Sequence, residues 1–599
     1  MRIHRIQIIN FRNFRNLQVI LDQHAVIVGE NRVGKSNLLY ALRLVLDPAL
    51  SDSARLLQQS DFCDERPRPL TVDDVITVSV DLTDFEDNED LLAILGEHLI
   101  QAVPMVARLT YRFQTLPGVT QPTRDADYEF LVYGGDRPEN RIGYDLRRRI
   151  PLDVFPALRD AEGDLAAWRR SPLRPLLERV AGRIQRQELE DIAARVKDAT
   201  NAVIEHEQVK QLAEQISLRL AAMVGAEHAI SSTLGFSPTD PERLIRAIRL
   251  FIDEGARSIG EASLGTANLL FLALKLLEQQ QLYDERSRDH TFLAIEEPEA
   301  HLHPHIQRLV YRDVLHQRNV PPCHHRERDH SRTILLTTHS PYIVSVTPLR
   351  SLVLLRRGDA GSATKASSTA QLDLSAHDIA DLERYLDVTR GELLFARATI
   401  FVEGEAELFI LPALGQAIGR DFDELGITVC SIMGTNFFPY VKFVEQRALG
   451  IPFAVITDLD PREDGQVPYG HARVAKLVAA LVDLPQGSQS DQAQLLARAS
   501  EVGIFLNNHT LEVDLFHCGL HQEMCEALAE LSENRALQKR ARDWQDDPTS
   551  VDITRLLNDI ESVGKGRFAQ RLVSKIKGNH CPAYIQEAIN YVASQCKTR

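Results

Sequence analysis

The stretch HAVIVGENRVGKSNLLYALRLVL, from His24 to Leu46, constrains the fold more than any other part of this sequence. It contains G-x-x-x-x-G-K-S from Gly29 to Ser36. An apolar run, Ala25 to Val28, precedes the motif and reads as a strand, and Asn37 to Leu46 reads as the helix that follows. Strand, glycine loop and helix in that order wrap backbone N–H groups around phosphates. Gly29 and Gly34 permit the close wrap, Lys35 reaches the β- and γ-phosphates, and Ser36 binds Mg²⁺. The helix start adds partial positive charge. Gly29, Asn31, Gly34, Lys35, Ser36 and Asn37 are therefore the first candidate nucleotide contacts.

Three later segments decide what kind of nucleotide site this is. FLAIEEPEAHLHP places Glu296 and Glu297 after the apolar run Phe292 to Ile295. The first acid is suited to hold Mg²⁺ and the second to polarise an attacking water. EASLGTANLLFLALKLL opens an apolar helix at Ser263 and Gly265, and RTILLTTHSPYI ends a strand at His339, two further candidates for the γ-phosphate. Phosphate loop, Ser-x-Gly helix, Glu-Glu-Pro and strand-His in that order resemble the ABC-type ATPases, in particular the RecF-like and chromosome-maintenance branch. The opening IQIINFRNFRNLQVIL resembles the segment that precedes the loop there, which makes Arg12 a candidate contact. Glu296 stands where that family usually carries Asp. The resemblance implies that the Ser-x-Gly helix completes the site of a partner subunit, so two ATPase heads must meet.

At 599 residues, two to four domains are expected, and 44% hydrophobic with 25% charged residues describes a folded chain. Seven cysteines without paired spacing fit a reducing cytosol. No signal peptide or membrane-length run is visible, so a cytoplasmic location is expected. The net charge of −16 disfavours a polyanionic partner only in the mean. Basic clusters stand at Arg147 to Arg149, at Arg169 and Arg170, and at Lys565, Arg567, Arg571, Lys575 and Lys577.

Between Ser36 and Ser263 something is inserted. Residues 71–135 alternate apolar and polar positions and read as a β-rich lobe. Residues 183–224 lack Gly and Pro and repeat apolar residues at helical spacing, with a break near Glu205 to Glu207. Two such helices cannot bury both stripes alone. A dimerisation insert and an intramolecular lobe are both open. Residues 359–380 are small and polar and read as a loop or linker.

The segment TIFVEGEAELFILPAL reads as strand, turn and helix, with Glu403 ending the strand and Glu407 near the helix start. PFAVITDLDPREDG places Asp458 and Asp460 at another strand end, on one side by period-two geometry. Between them ITVCSIMGTNFF supplies Gly434, where backbone is free to approach a ligand, and IFLNNHTLEVDLF adds Glu512 and Asp514, again spaced by two. Acids converging on strand ends without matching basic partners call for hard divalent cations. Two such ions, roughly 3.5–4 Å apart, stabilise both oxygens of a phosphodiester displacement.

The Glu403, Asp458 and Asp460 pattern resembles the Toprim domain. A RecF-like ATPase followed by Toprim resembles the OLD (overcoming lysogenisation defect) nucleases. The fold class implied is α/β: a RecF-like ABC ATPase (1–155 and 235–395) with an inserted helical dimerisation segment (156–234), then a C-terminal Toprim α/β domain (396–599). The resemblance implies a metal-dependent DNA endonuclease or nickase acting in phage defence or DNA processing. It also implies ATP with Mg²⁺ in the heads, and a homodimer or higher even oligomer. The wider acid set, with Glu407 and Glu512 as metal ligands beside Glu403, Asp458 and Asp460, is similar to the two-metal class 2 branch. That branch takes two Mg²⁺ or Mn²⁺ ions and is often paired with a UvrD-type helicase. Lys565, with Lys575 as the weaker choice, corresponds to a basic residue that assists cleavage.

The alternative is a RecF-type recombination or repair ATPase that binds DNA without cutting it. A topoisomerase needs a nucleophilic tyrosine in a separate breakage domain, and no suitable extra domain is visible in the sequence. A primase needs zinc, and the spacing of Cys323, His324, His325 and His330 fits a surface loop better.

Overall fold

The computed structural model describes residues 1–157, 160–224, 241–253, 257–316, 332–358, 363–462, 466–482 and 492–597. The tract Cys323 to His330 lies outside them. The chain divides into two compact units, Met1–Ala157 with Asp289–Arg599, and Leu158–Arg288.

In the first unit β1 (Arg2–Phe11) turns at Arg12 and Asn13 into β2 (Phe14–Ile20), and β3 (Ala25–Gly29) leads into the glycine loop. β4 (Ile76–Thr83), β5 (Leu99–Ala102), β6 (Met105–Thr115) and β7 (Tyr128–Gly134) complete an antiparallel sheet of order β2-β1-β4-β6-β5, with β7 on β6. The β-rich reading of 71–135 matches these strands. Ile6, Ile8, Val78, Val80, Leu109 and Tyr111 pack their buried faces together with Leu38 and Leu42 of the helix Lys35–Leu46.

β8 (Leu152–Phe155) joins a second sheet. In the other unit, Phe251–Ile252 (β9) and Arg257–Ser258 (β10) form a short antiparallel pair. The chain then adds β11 (Thr291–Glu296), β12 (Arg332–Thr338), β13 (Leu352–Arg357) and β14 (Thr364–Ser368). The order is β14-β13-β3-β12-β11-β8, parallel except for β14. Continuous apolar runs such as Ala25–Val28, Phe292–Ile295 and Ile334–Leu336 are buried, as parallel strands covered on both faces require.

β14 corrects the linker reading of 359–380. Its small polar residues form an edge strand that pairs antiparallel with β13 and is tied at its start to the glycine loop and the β1–β2 turn. The Thr364 N–H donates to Asn13 O at 2.9 Å, the Thr364 hydroxyl donates to Val33 O at 2.9 Å, and the Asn13 amide reaches Thr364 Oγ1 at 2.8 Å. The ladder to β13, with those hydrogen bonds at its start and no apolar stripe, defines the strand.

The last sheet contains β15 (Ala398–Val402), β16 (Ile427–Ser431), β17 (Phe453–Thr457) and β18 (Ile504–Leu506), all parallel, in the order β16-β15-β17-β18. From β15 the chain moves first to one side and then to the other. The carboxyl ends of β15 and β17 thus flank a topological switch point, where parallel sheets open a crevice for ligands.

The second unit holds the helices Arg186–Ile204 and Glu207–Val224, which break where the sequence suggested. Ile192, Leu212, Ile216 and Leu218 are exposed on them. The unit runs on to Arg288, past residue 234, and so takes in the helix Leu264–Asp284. Among the described residues no helix is long and apolar enough to cross a membrane.

Candidate active sites

At the nucleotide loop, Gly29 has φ +154° and Gly34 φ +102°. A Cβ on Gly29 would stand 2.5 Å from Leu355 O, and one on Gly34 would collide with the Asn13 amide. Asn13 holds the loop through Val33 O at 2.8 Å and accepts from the Asn37 amide at 2.7 Å. Arg12 donates to Asp61 at 2.8 Å and to Asn37 at 2.8 Å, with its guanidinium 4.8 Å from the Tyr40 ring centre. Lys35 is buried and donates to Gly29 O and Glu30 O, both at 3.1 Å. Burial lowers its pKa against the pull of Glu297 and Glu299. Asn31 and Ser36 are exposed on the loop and helix start.

Glu296 ends β11 beside Glu297, whose φ of +41° turns its side chain toward His339. Such left-handed backbone costs a residue with a Cβ about 1–2 kcal/mol. Burial, and then the neighbouring Glu297 charge, push the Glu296 carboxyl up against the pull of Arg43. His339 Nε2 lies 3.5 Å from Glu297 Oε1 and is buried without a hydrogen-bond partner among the described residues. Burial, then Lys35, push the His339 pKa down, so the ring is neutral at pH 7. A loop of backbone donors, a buried lysine and an orphaned imidazole nitrogen fit a nucleotide phosphate. Glu299 was not anticipated. It accepts from the His339 N–H at 2.6 Å and burial raises its pKa, but nothing in its sequence position distinguishes it from its neighbours.

Ser263 and Gly265 belong to the other unit. Ser263 is the N-cap of Leu264–Asp284, accepting from the Thr266 N–H at 3.2 Å, and Gly265 is buried in the first turn.

The last sheet brings acids together at its switch point. Glu403 follows β15, and its Oε1 accepts from the Asp458 N–H at 2.9 Å and from the Thr457 hydroxyl at 2.5 Å. Asp458 and Asp460 lie beyond the end of β17, and Asp460 has φ +47°. Strand alternation therefore does not place this pair, contrary to the period-two expectation. A turn does, closed by Arg473. The Arg473 guanidinium donates to Asp460 at 2.8 Å and to Asp458 O, and stands 3.2 Å from Glu403 Oε1. Asn507 bonds the Asp458 carboxylate and accepts from the Leu459 N–H at 2.6 Å. Sequence reasoning missed both residues. The one available signal for Arg473 was a charge one turn into the apolar helix Tyr469–Leu481.

Glu407 and Glu512 are buried at 8% and 5% exposure, so neither charge is relieved by water. Glu512 and Asp514 sit on the helix Leu511–Leu515, and not on a strand. Two residues on a helix diverge, so Asp514 turns away to accept from the Asn508 N–H at 2.9 Å. Lys565 Nζ stands 3.3 Å from Glu512 Oε1. Burial alone would lower its pKa, but Glu512, Asp458 and Glu407 together raise it. Lys575 instead engages Glu530 and Glu526 at 2.5 and 3.4 Å. A Cβ on Gly434 would meet nothing within 4 Å, and its N–H donates to Glu403 O at 3.0 Å, so it supports the turn without a close approach.

Burial, then Glu403, Glu407, Glu512 and Asp460, push Asp458 up to about 8. Burial, then Glu512 and Glu403, push Glu407 up to about 7. Arg473 and Lys565 partner some of these acids, but two bases against five acids still leave the set without a matching number of basic partners. The positive charge is still too little to keep Asp458 ionised at neutral pH. Among the described residues no group of three or more His, Cys, Asp or Glu side chains is set to hold a metal ion as it stands. The donor chemistry, all carboxylate oxygen and mutually repelling, fits hard divalent cations, once side chains swing from Arg473 and Lys565.

Two expected outcomes follow from this arrangement. An acid with a raised folded pKa keeps a proton that the unfolded chain releases, so stability falls as pH rises from the ordinary 3.8 toward about 8. A bound cation replaces that proton. Added Mg²⁺ should therefore raise the unfolding midpoint more at about pH 8.5 than at about pH 6. An increment that ignores pH would count against cation binding by these acids.

The second concerns Gly470, where a Cβ would stand 2.5 Å from Asp458 O and 2.8 Å from Leu459 Cα. Gly470→Ala must move the backbone that carries the Asp458–Asp460 turn, costing about 1–3 kcal/mol in urea denaturation. Wild-type stability in that variant would show that the turn has slack.

Residues 25–345, more than half of the chain, match the family described as "AAA domain, putative AbiEii toxin, Type IV TA system". Residues 394–460 match "Overcoming lysogenization defect protein-like, TOPRIM domain". The chain is 26% identical to the OLD nuclease of Thermus scotoductus, over 76% of this chain and 82% of that protein. It is 22% identical to the endonuclease GajA of Bacillus cereus, over 77% and 75%. Among solved structures, the C-terminal region of the Burkholderia pseudomallei OLD protein is 40% identical, spanning 34% of this chain and 99% of that one, with a TM-score of 0.31.

Proposed function

We propose, from the premise that this chain belongs to the OLD family, with an AAA-type ATPase domain joined to a Toprim domain, that it cuts DNA phosphodiester bonds by a two-metal mechanism. The observation that carries this reading is the 2.9 Å hydrogen bond from the Asp458 N–H to Glu403, which joins the ends of two parallel strands at the switch point. Glu403, Glu407, Asp458, Asp460 and Glu512 would hold two Mg²⁺ or Mn²⁺ ions. Bound there, such ions activate a water for in-line attack and neutralise charge on the leaving 3′-oxygen. Arg473 orients Glu403 and Asp460, and Asn507 fixes the Asp458 carboxylate. Lys565, protonated throughout, donates to the phosphate as its charge grows.

At the other site Gly29, Asn31, Gly34, Lys35, Ser36 and Asn37 cradle ATP, with Arg12 bracing Asn37. Glu296 takes the accompanying Mg²⁺, Glu297 polarises water, and neutral His339 donates its ring N–H to a γ-phosphate oxygen. Ser263 and Gly265 serve the nucleotide of a partner subunit, which makes a homodimer the smallest working assembly. The exposed stripe on Arg186–Ile204 and Glu207–Val224 supports that assembly. Phage defence in the cytoplasm, with a UvrD-type helicase as partner, is the biological setting this reading implies.

The test is incubation of supercoiled plasmid with Mg²⁺ or Mn²⁺. Nicked and linear products are expected, and intact plasmid with both ions would remove the proposal.

A further inference from the structure

The C-terminal basic run is not one patch. Arg571 is held by Glu530 at 3.3 Å, and Lys575 by Glu530 and Glu526, so those two charges are spent. Lys565 faces Glu512. Arg567 is two residues further along the helix Lys565–Val573, a rotation of about 200°. It therefore points the opposite way, into a separate cleft of about 520 Å³. Arg540 and Arg555 line that cleft too. Asp559, at 5% exposure, accepts from Arg540 at 2.9 and 2.6 Å and lies 3.8 Å from Arg555. Asp559 thus takes the fork of Arg540, Arg555 stands beside it beyond hydrogen-bond distance, and among the described residues no carboxylate pairs with Arg567. Glu533 is the other acid of the lining, so three guanidiniums face two carboxylates, with Asn534 and Asn558 as further donors.

We propose that this cleft binds a backbone phosphate of the DNA substrate, away from the one that is cut. The inference rests on the nuclease reading for its ligand and on the cleft's own chemistry for its existence. Arg555 and Arg567, whose guanidiniums give no hydrogen bond to a carboxylate among the described residues, keep forked donors that match phosphate oxygens. Lys565 at the acids and Arg567 in the cleft sit on one helical turn. A ligand engaging both must carry phosphates in series, as a nucleic acid strand does and a free anion does not. In a chain with net charge −16, such a local arginine cluster is also what a polyanion needs in order to approach.

The experiment uses the full chain, with a fluorescently labelled duplex titrated in Ca²⁺ over a range of salt. Arg567→Ala is expected to weaken duplex binding about tenfold and to reduce the slope of log affinity against log salt by roughly 1. Arg567→Lys should restore the slope, because it restores the charge. Arg567 is exposed, and Arg555→Ala, also exposed, is the second variant, expected to act in the same direction. Wild-type affinity and slope in both alanine variants would overturn the proposal. So would a cleft that takes only free anion, seen as inorganic phosphate raising the unfolding midpoint of wild type but not of Arg567→Ala, with duplex binding unchanged. Plasmid cutting is scored in parallel. A wild type that binds through Arg567 but never cuts keeps the cleft and loses the nuclease reading, whereas one that cuts while Arg567→Ala binds normally loses the cleft alone.

Discussion

Asp458→Ala is expected to reduce plasmid cutting by at least about 10³-fold while making the metal-free protein more stable above about pH 8. The two effects share one origin. Asp458 is half-buried beside Glu403, Glu407 and Glu512, and that desolvation and repulsion push its carboxyl up to about 8. Above that value the folded chain carries a repelled charge that the unfolded chain accommodates in water, so deleting the carboxylate removes a destabilising group. The same carboxylate follows β17 at the switch point and is the one Asn507 holds in place. Alanine also isolates that group, because the backbone N–H that anchors Glu403 remains. ATP hydrolysis should stay within about twofold of wild type, since Lys35, Glu297 and His339 stand on a different sheet. Plasmid assays, urea denaturation at two pH values and phosphate release check the three parts. Cutting that survives in the variant would move the chemistry away from this cluster, and a loss of stability at high pH would show that Asp458 is held by attraction and not crowded by repulsion.

What was legible in the sequence was what local backbone geometry dictates. Gly29 and Gly34 are required by positive φ and by contacts within a single strand-loop-helix unit, so the motif suffices to find them. Glu403 and Asp458 were readable because each follows a continuous apolar run, and a buried parallel strand must end somewhere polar. The rest depends on which strands become neighbours. Arg473 and Asn507 matter because β17 lies between β15 and β18, an order that no local pattern states. β14 was missed because its small polar residues become a strand only by pairing with β13, with Thr364 tied to Asn13 and Val33. Glu512 and Asp514 share a spacing that suits a strand, yet their segment is helical and separates them. The choice between Lys565 and Lys575 turns on Glu526 and Glu530, which another helix supplies.

Lys35→Ala is expected to lower ATP hydrolysis by about 10²–10³-fold, the loss typical of a preorganised charge on a reacting phosphate. Its ammonium now rests on Gly29 O and Glu30 O, beside Glu297 and Glu299, in a pocket that already depresses its pKa by burial. A lysine so placed gains more from a polyphosphate than from two carbonyls, and alanine offers neither charge nor donor. Cutting without ATP should be unchanged, because Glu403 and Asp458, proposed above to hold metal, follow β15 and β17 and receive nothing from Lys35. What should disappear is any effect of ATP on cutting. One contact among the described residues that could carry that effect is Glu30 to Arg397, at 3.5 Å, which links the nucleotide loop to the residue preceding β15, the strand that delivers Glu403. Moving Glu30 as the loop closes on phosphate therefore acts at the root of the strand whose tip anchors on Asp458. Phosphate release and plasmid cutting, each with and without ATP, decide the matter. If ATP-free cutting falls in step with hydrolysis, the two sites are not separable and the lysine supports the nuclease itself.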